Sequence, residues 1–210
     1  MDRSPVLCGG AAQQQWGTRL SSPRIKLLGL ALPLLVAGCA LNEPAADADD
    51  PRLARMVAGR TVADRCLTPD DEPGLADELF NRINQEREVA GLPPVRRAPV
   101  LDRIAGDYAC KMVRNSFFAH LDPADGAGPG QRAMNAGYRF YAVGENLAAG
   151  HLSVEDAMAS WMSSEAHREI ILGPNWSEVG LAVRVGGPYE TYWVQEFGEP
   201  VDEALALAGR

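Results

Sequence analysis

The chain has 210 residues, 46% of them hydrophobic, with 28 acidic against 20 basic side chains and a formal net charge of −8. That apolar fraction supplies a core and excludes a chain disordered throughout. The acidic balance excludes nucleic acid as the partner, since phosphate binding needs clustered Lys and Arg to displace counterions.

The N-terminal region comes first. Arg19, Arg24 and Lys26 precede an apolar run, LLGLALPLLVAG, from Leu27 to Gly38, which together read as the charged and hydrophobic parts of a secretory signal. The run is too short to cross a bilayer core as a helix, which takes about 20 residues. It ends in LVAGC, Leu35 to Cys39, which resembles a bacterial lipobox. That resemblance implies that residues 1–38 are a signal peptide and that Cys39 is acylated as the new N-terminus. Loss of four basic and one acidic residue would then take the net charge from −8 to −11, so lipid rather than charge would hold the protein at a membrane. Ala40, rather than Asp, after the cysteine points to the outer membrane and to an extracytoplasmic location. With Cys8 in the signal and Cys39 lipidated, Cys66 and Cys110 remain together in an oxidising compartment, where we expect them to pair. Two buried free thiols are the alternative.

Residues 39–74 are rich in Ala, Asp and Pro and read as a solvated tether, within which RLARMVAGRTVADRC could hold a short helix. The folded domain is expected over residues 75–198, followed by an acidic tail, 199–210. Leu75, Leu79, Phe80 and Ile83 recur at helical spacing until Gly91 and Pro93-Pro94. Pro99 suits a helix's first turn, and Leu101, Ile104, Ala105, Tyr108 and Met112 continue its apolar stripe, with Cys110 near the end. Leu121 to Gln131 reads as loop, and Tyr138 to Ala148 as an extended segment. Ser153 with Asp156 marks a helix start ahead of Val154, Ala157, Met158 and Trp161. Val179–Val185 and Thr191–Phe197 close the chain as a hairpin. The pattern predicts an α+β fold, a three-layer α-β-α sandwich around a small antiparallel sheet.

Candidate chemistry lies in three places: His120 in FFAHLDPADG, the adjacent Glu145 and Asn146 in AVGENLAAGH, and His167 in WMSSEAHREIIL. A carboxylate among small apolar neighbours must find a partner or take up a proton. The ordered motifs INQEREVAGLPPV, FFAHLDPADG, GYRFYAVGENLAAG, AMASWMSSEAHREIIL, VGLAV and YWVQEFG resemble the bacterial branch of the CAP superfamily, the cysteine-rich secretory, antigen 5 and pathogenesis-related 1 proteins, also called SCP-like extracellular proteins. The resemblance covers about residues 75–198. It implies an α-β-α sandwich whose cleft holds two histidines and two acidic residues able to bind a divalent cation such as zinc.

On that resemblance His120, Glu145 and His167 are candidate metal ligands. The family's second glutamate falls on Ser164, so either Glu165 substitutes for it or the cleft has three ligands. Glu145 is then expected to be satisfied by His120 and His167, directly or through a metal ion. The plain alternative is a hydrogen-bonded polar cluster that only stabilises the fold. Of the remaining residues, His151 is expected to face solvent, Asn84 and Arg87 to form a surface pair or brace a loop, Gln195 to point into the cleft or outward, and Trp161, Trp176 and Trp193 to lie in the core.

Three functions follow from this reading. The first is a membrane-tethered binding module for a metal, a lipid-like molecule, a peptide or a protein partner. The second is a metal-assisted, peptidase-like hydrolase with Glu145 as base. The third is an inert structural protein. No Gly-x-Ser-x-Gly elbow or His-Glu-x-x-His motif is present to favour hydrolysis.

Overall fold

The structure, a computed structural model, describes residues 6–7, 15–16, 51–57 and 65–201. The apolar run, Cys39, most of the tether and the tail beyond residue 201 lie outside the described residues. Two short strands, β1 (Val6–Leu7) and β2 (Gln15–Trp16), precede a short helix, α1 (Pro51–Met56). The body follows as α2 (Glu72–Val89), β3 (Arg96–Arg97), α3 (Pro99–Arg114), α4 (Pro129–Asn135), β4 (Phe140–Ala149), α5 (Val154–Ser163), α6 (Glu165–Ile171), β5 (Glu178–Val185) and β6 (Thr191–Pro200). No helix among the described residues is long and apolar enough to cross a membrane.

Local chemistry sets the helix ends. Proline stands in the first turn of α2, α3 and α4, where its missing N–H costs nothing. The Ser153 side chain accepts from the Asp156 N–H and caps α5, as the sequence predicts. Past α2, Gly91 takes a φ of 71°, a left-handed conformation that lets the chain reverse, and Leu92 N–H closes back on Arg87 O at 2.8 Å. Two helices escape the sequence reading: α4 begins at Pro129, inside the stretch expected to be loop, and α6 follows α5 where no further helix was expected.

The main strands run in the order β4-β6-β5-β3, with β1 and β2 pairing on the outer edge of β4. β6 is antiparallel to both β4 and β5, so the β5–β6 hairpin forms as expected. To this antiparallel core β3 adds a short parallel edge pairing with β5, Arg96 opposite Glu178 and Arg97 opposite Val179, so the sheet is mixed. Such a pairing needs a long crossover, and α3, α4, β4, α5 and α6 all intervene between these strands.

Helices α2, α5 and α6 cover one face of the sheet around Leu79, Ile83, Trp161, Ile170 and Trp193. Helix α3 covers the other, where Tyr108, Ala109 and Met112 meet Leu147, Tyr192 and Val194. The fold is therefore the predicted α+β, α-β-α sandwich. Close approach of α3 depends on Gly180, because a Cβ there would lie 2.0 Å from the Leu101 carbonyl carbon. Trp161, Trp176 and Trp193 are core residues as expected, each with its indole N–H donated to a backbone carbonyl.

Three long-range pins hold the layers. Arg87, fully buried, donates to the carbonyls of Pro93, Ile171, Gly173 and Trp176, while Asn84 pairs with both backbone groups of Val95. These two residues are loop braces rather than a surface pair. The packed body also starts before Leu75: Leu53 and Val57 are buried against Val185, and Leu67 bridges to Val185. Finally Cys66 and Cys110 form the expected disulfide, with Cα atoms 5.2 Å apart across a sequence separation of 44. A crosslink closing a loop of that size stabilises by roughly 4 kcal/mol on the chain-entropy model. The double variant Cys66→Ser/Cys110→Ser should therefore lose about that amount in urea unfolding; a change under about 1 kcal/mol would show that the bridge is not a principal pin.

Candidate functional site

Strand alternation decides what β4 can present. Successive side chains point to opposite faces, so Glu145 joins Val143 and Leu147 on the α3 side, whereas Asn146 turns toward α5 and α6. The β4–β6 register then sets Glu145 opposite Glu196 and Asn146 opposite Gln195. Two polar pairs thus sit back to back through one sheet.

On the α3 side, His120 reaches Glu145 from the loop after α3, its Nδ1 lying 2.8 Å from Oε1. Arg132, on α4, donates through Nη2 to Glu145 Oε2, and the same nitrogen lies 3.6 Å from Glu196 Oε1. The guanidinium stacks over the Tyr108 ring, 3.4 Å from its centroid, a favourable cation–π contact. Its Nη1 donates to the carbonyls of His120 and Ala127, so one side chain neutralises the carboxylate and braces the loop that carries His120. That loop is held at its other end by the Lys111–Asp122 ion pair. Of the four ionisable residues His120 is the most open, its side chain 19% exposed against 1% for Glu145.

Two carboxylates directly opposite each other repel unless one keeps its proton. Burial pushes the Glu145 carboxyl up, but the charge of Arg132 and the hydrogen bond from His120 outweigh it and hold the group below the ordinary carboxylate range. Burial, and then the Glu145 charge, drive Glu196 the other way, well above that range. The cluster therefore favours the charged form of Glu145 and the protonated form of Glu196 beside a permanent cation. Glu196 Oε1 has no hydrogen-bond partner.

On the opposite face, Asn146 Nδ2 donates to the His167 carbonyl and to Gln195 Oε1. Gln195 Nε2 turns to Met158 Sδ at 3.5 Å. The His167 ring is buried, with Nδ1 2.8 Å from Ser164 Oγ, and Glu165 is exposed at the start of α6. The structure thus joins His120 to Glu145, and places His167 with Ser164 and Asn146. Among the described residues no group of three or more His, Cys, Asp or Glu is gathered so as to hold a metal ion. Of the set His120, Glu145, His167 and Glu165, the structure pairs His120 with Glu145, whose remaining oxygen faces Arg132. His151 also departs from its expected place. It is 3% exposed, because its carbonyl is drawn in by Thr191 Oγ1 and Trp193 Nε1.

Arg132 and Glu196 are the residues that sequence reasoning missed. Alternation along YWVQEF could have found Glu196, because it shares a face with Tyr192 and Val194 in β6. Arg132 had only the need of Glu145 for a cation to point to it.

The sequence profile of the Cysteine-rich secretory protein family, CAP, matches residues 80–197, a stretch that contains both polar pairs. The chain belongs to this family. An uncharacterized protein of Bacillus subtilis, YkwD, is 32% identical over 129 residues, 61% of this chain and 49% of its own length. An uncharacterized membrane protein of the same organism, YlbC, is 23% identical over 57% of this chain and 33% of its own. The CAP protein thus spans half or less of the length of these curated relatives. Among solved structures, an extracellular protein containing a SCP domain from Bacillus anthracis superposes with a TM-score of 0.55 at 29% identity, covering 63% of this chain and 44% of that one. An outer surface protein of Borrelia burgdorferi gives a TM-score of 0.56 at 20% identity over 64% and 97%, a likeness of fold.

The opposite shifts of the two glutamates give a signed pH dependence. Glu145, depressed in the fold, contributes stability above its unfolded pKa that is lost as pH falls through the folded value. Glu196, raised in the fold, contributes stability that is complete below its unfolded pKa and lost as pH rises through the folded one. Glu196→Gln, which mimics the protonated acid, should match the wild type in thermal melts below the ordinary carboxylate range and gain on it as pH rises above that range. Glu145→Gln should cost about 3–5 kcal/mol at pH 7, because it leaves Arg132 buried without its anion. A pH-independent difference for Glu196→Gln would refute the shared-proton arrangement.

Proposed function

We propose that this protein is an extracytoplasmic, lipid-anchored CAP-domain protein that works as a binding module, with the His120 edge of the cleft as part of its ligand-contacting surface. The observation that carries this reading is the engagement of both Glu145 oxygens, one by His120 and one by Arg132. A carboxylate held at both oxygens, by an imidazole and a guanidinium, is fitted to hold a surface in shape. The occupant would be a lipid-like molecule, a peptide or a protein partner that meets His120 and the exposed Leu121 beside it.

The Cys66–Cys110 disulfide supports export to an oxidising compartment. The Bacillus anthracis neighbour, described as extracellular, supports the same location. Lipidation at Cys39 rests on LVAGC. Attachment at the outer membrane rests on Ala40.

One observation favours a hydrolase instead: an imidazole oriented by a buried carboxylate is an arrangement suited to proton transfer. The two readings separate on turnover. The binding module should hydrolyse neither a fluorogenic peptide library nor p-nitrophenyl esters above the buffer rate. Turnover by the wild type that vanishes in a folded His120→Ala or Glu145→Gln would replace the binding reading with a peptidase-like or esterase-like one.

Anchoring is tested apart from ligand binding. Expressed with its leader in a Gram-negative host, the wild type should partition into the detergent phase of a membrane extract, and Cys39→Ala should not be acylated. An unacylated wild type would remove the lipid anchor from the proposal.

A further inference from the structure

The polar cluster raises a question that the ligand reading leaves open: which cation serves two opposed glutamates beside a histidine. Glu145 and Glu196 face each other across β4 and β6, and His120 lies against Glu145. Carboxylates and imidazoles are both zinc ligands, with the ion about 2.0–2.2 Å from a carboxylate oxygen. Here a single nitrogen, Arg132 Nη2, faces both carboxylates.

We propose that Arg132 is the resident cation of this cleft, standing between Glu145 and Glu196 where a divalent ion would otherwise lie, so that the native cluster is complete without metal. Two observations support it. One guanidinium nitrogen faces both carboxylates, donating to Glu145 and lying 3.6 Å from Glu196 Oε1. The group is also held over the Tyr108 ring and against the His120 and Ala127 carbonyls, so it cannot swing away without loosening the loop. Recognition at this cleft would then take place at the His120 edge and would be indifferent to chelators.

The proposal implies that a metal site is latent beneath the arginine. Removing the guanidinium leaves Glu145, Glu196 and His120 without their cation, and small side-chain shifts would have to gather them around an incoming ion. The inference is independent of the binding-module reading, since it concerns what the cluster holds and not what the cleft recognises.

Zinc is titrated calorimetrically at pH 7.5 into the full chain, alkylated with iodoacetamide without prior reduction so that thiols outside the disulfide cannot mimic a site. Wild type and Arg132→Lys, which keeps the cation, should show no saturable uptake dependent on the cluster. Arg132→Ala should bind one ion per chain at least tenfold more tightly than wild type, and Arg132→Ala/Glu145→Gln should lose that gain. Arg132→Gln is run in parallel, because it keeps an amide donor for the loop carbonyls should the alanine variant fail to melt cooperatively. One-to-one binding by wild type that His120→Ala or Glu145→Gln abolishes would overturn the proposal. So would a folded Arg132→Ala or Arg132→Gln that takes up no ion.

Discussion

A carboxylate buried in the middle of a sheet is the constraint on which much of this structure depends. Glu145 lies in a strand whose residues from Ala142 to Ala149 are all buried, and an uncompensated charge there would cost several kcal/mol after relaxation. Compensation needs a cation at the right height above β4, and that requirement reaches outward through the fold. It positions α4, which carries Arg132, and the loop from His120 to Gly128, which α4 braces. It gives Tyr108 a second role, since the ring that packs α3 against the sheet also receives the guanidinium. A short helix with little apolar surface of its own is thereby tied to the core electrostatically.

The sheet separates two kinds of polar chemistry. Its α3 face carries the ionic cluster, while its other face carries the amide pair Asn146–Gln195 with the main chain of α6. The period-two rule makes these neighbours in sequence strangers in space. Asn146 holds α6 in place by accepting no charge at all, and Asn146 Oδ1 is left without a hydrogen-bond partner. The pins around this sheet act at its margins: Arg87 gathers the chain after α6 onto α2, and the disulfide ties the segment before α2 to α3. Neither pin touches the ionic cluster.

Much of the fold was legible because its signals are local. The stripe of Leu101, Ile104, Ala105, Tyr108 and Met112 marks α3, and all five are buried. Ser153 caps α5 as its spacing predicts. The disulfide followed from elimination and compartment. What escaped was non-local: the parallel pairing of β3 is settled by a crossover of some eighty residues that no short window contains, and His151 is buried through bonds to β6, forty residues away. Helix α4 hid because its run GPGQRAMNAG is dominated by breaker residues, and only Arg132 and Ala133 give it a tertiary purpose. The candidate site divides along the same line. His120 and Glu145 were legible as a pair by motif and do meet, whereas Arg132 and Glu196 carry no motif and became visible only through register.

The missing arginine changes the chemistry that the motif suggests. Two histidines and two acids spaced along a chain read as a metal centre only while the cation between them is unspecified. Once a guanidinium is counted, the same histidine and glutamate form a closed ionic unit whose positive charge cannot be removed by chelation or by any accessible pH. A metal ion would leave a coordination site open to substrate, but an arginine has no coordination site to offer. Its value lies in geometry, because a planar donor held by a ring, two carbonyls and two carboxylates fixes the position of every group it touches. On the proposed reading the cleft keeps a constant shape at the His120 edge, a property that recognition uses and that metal-polarised water does not require.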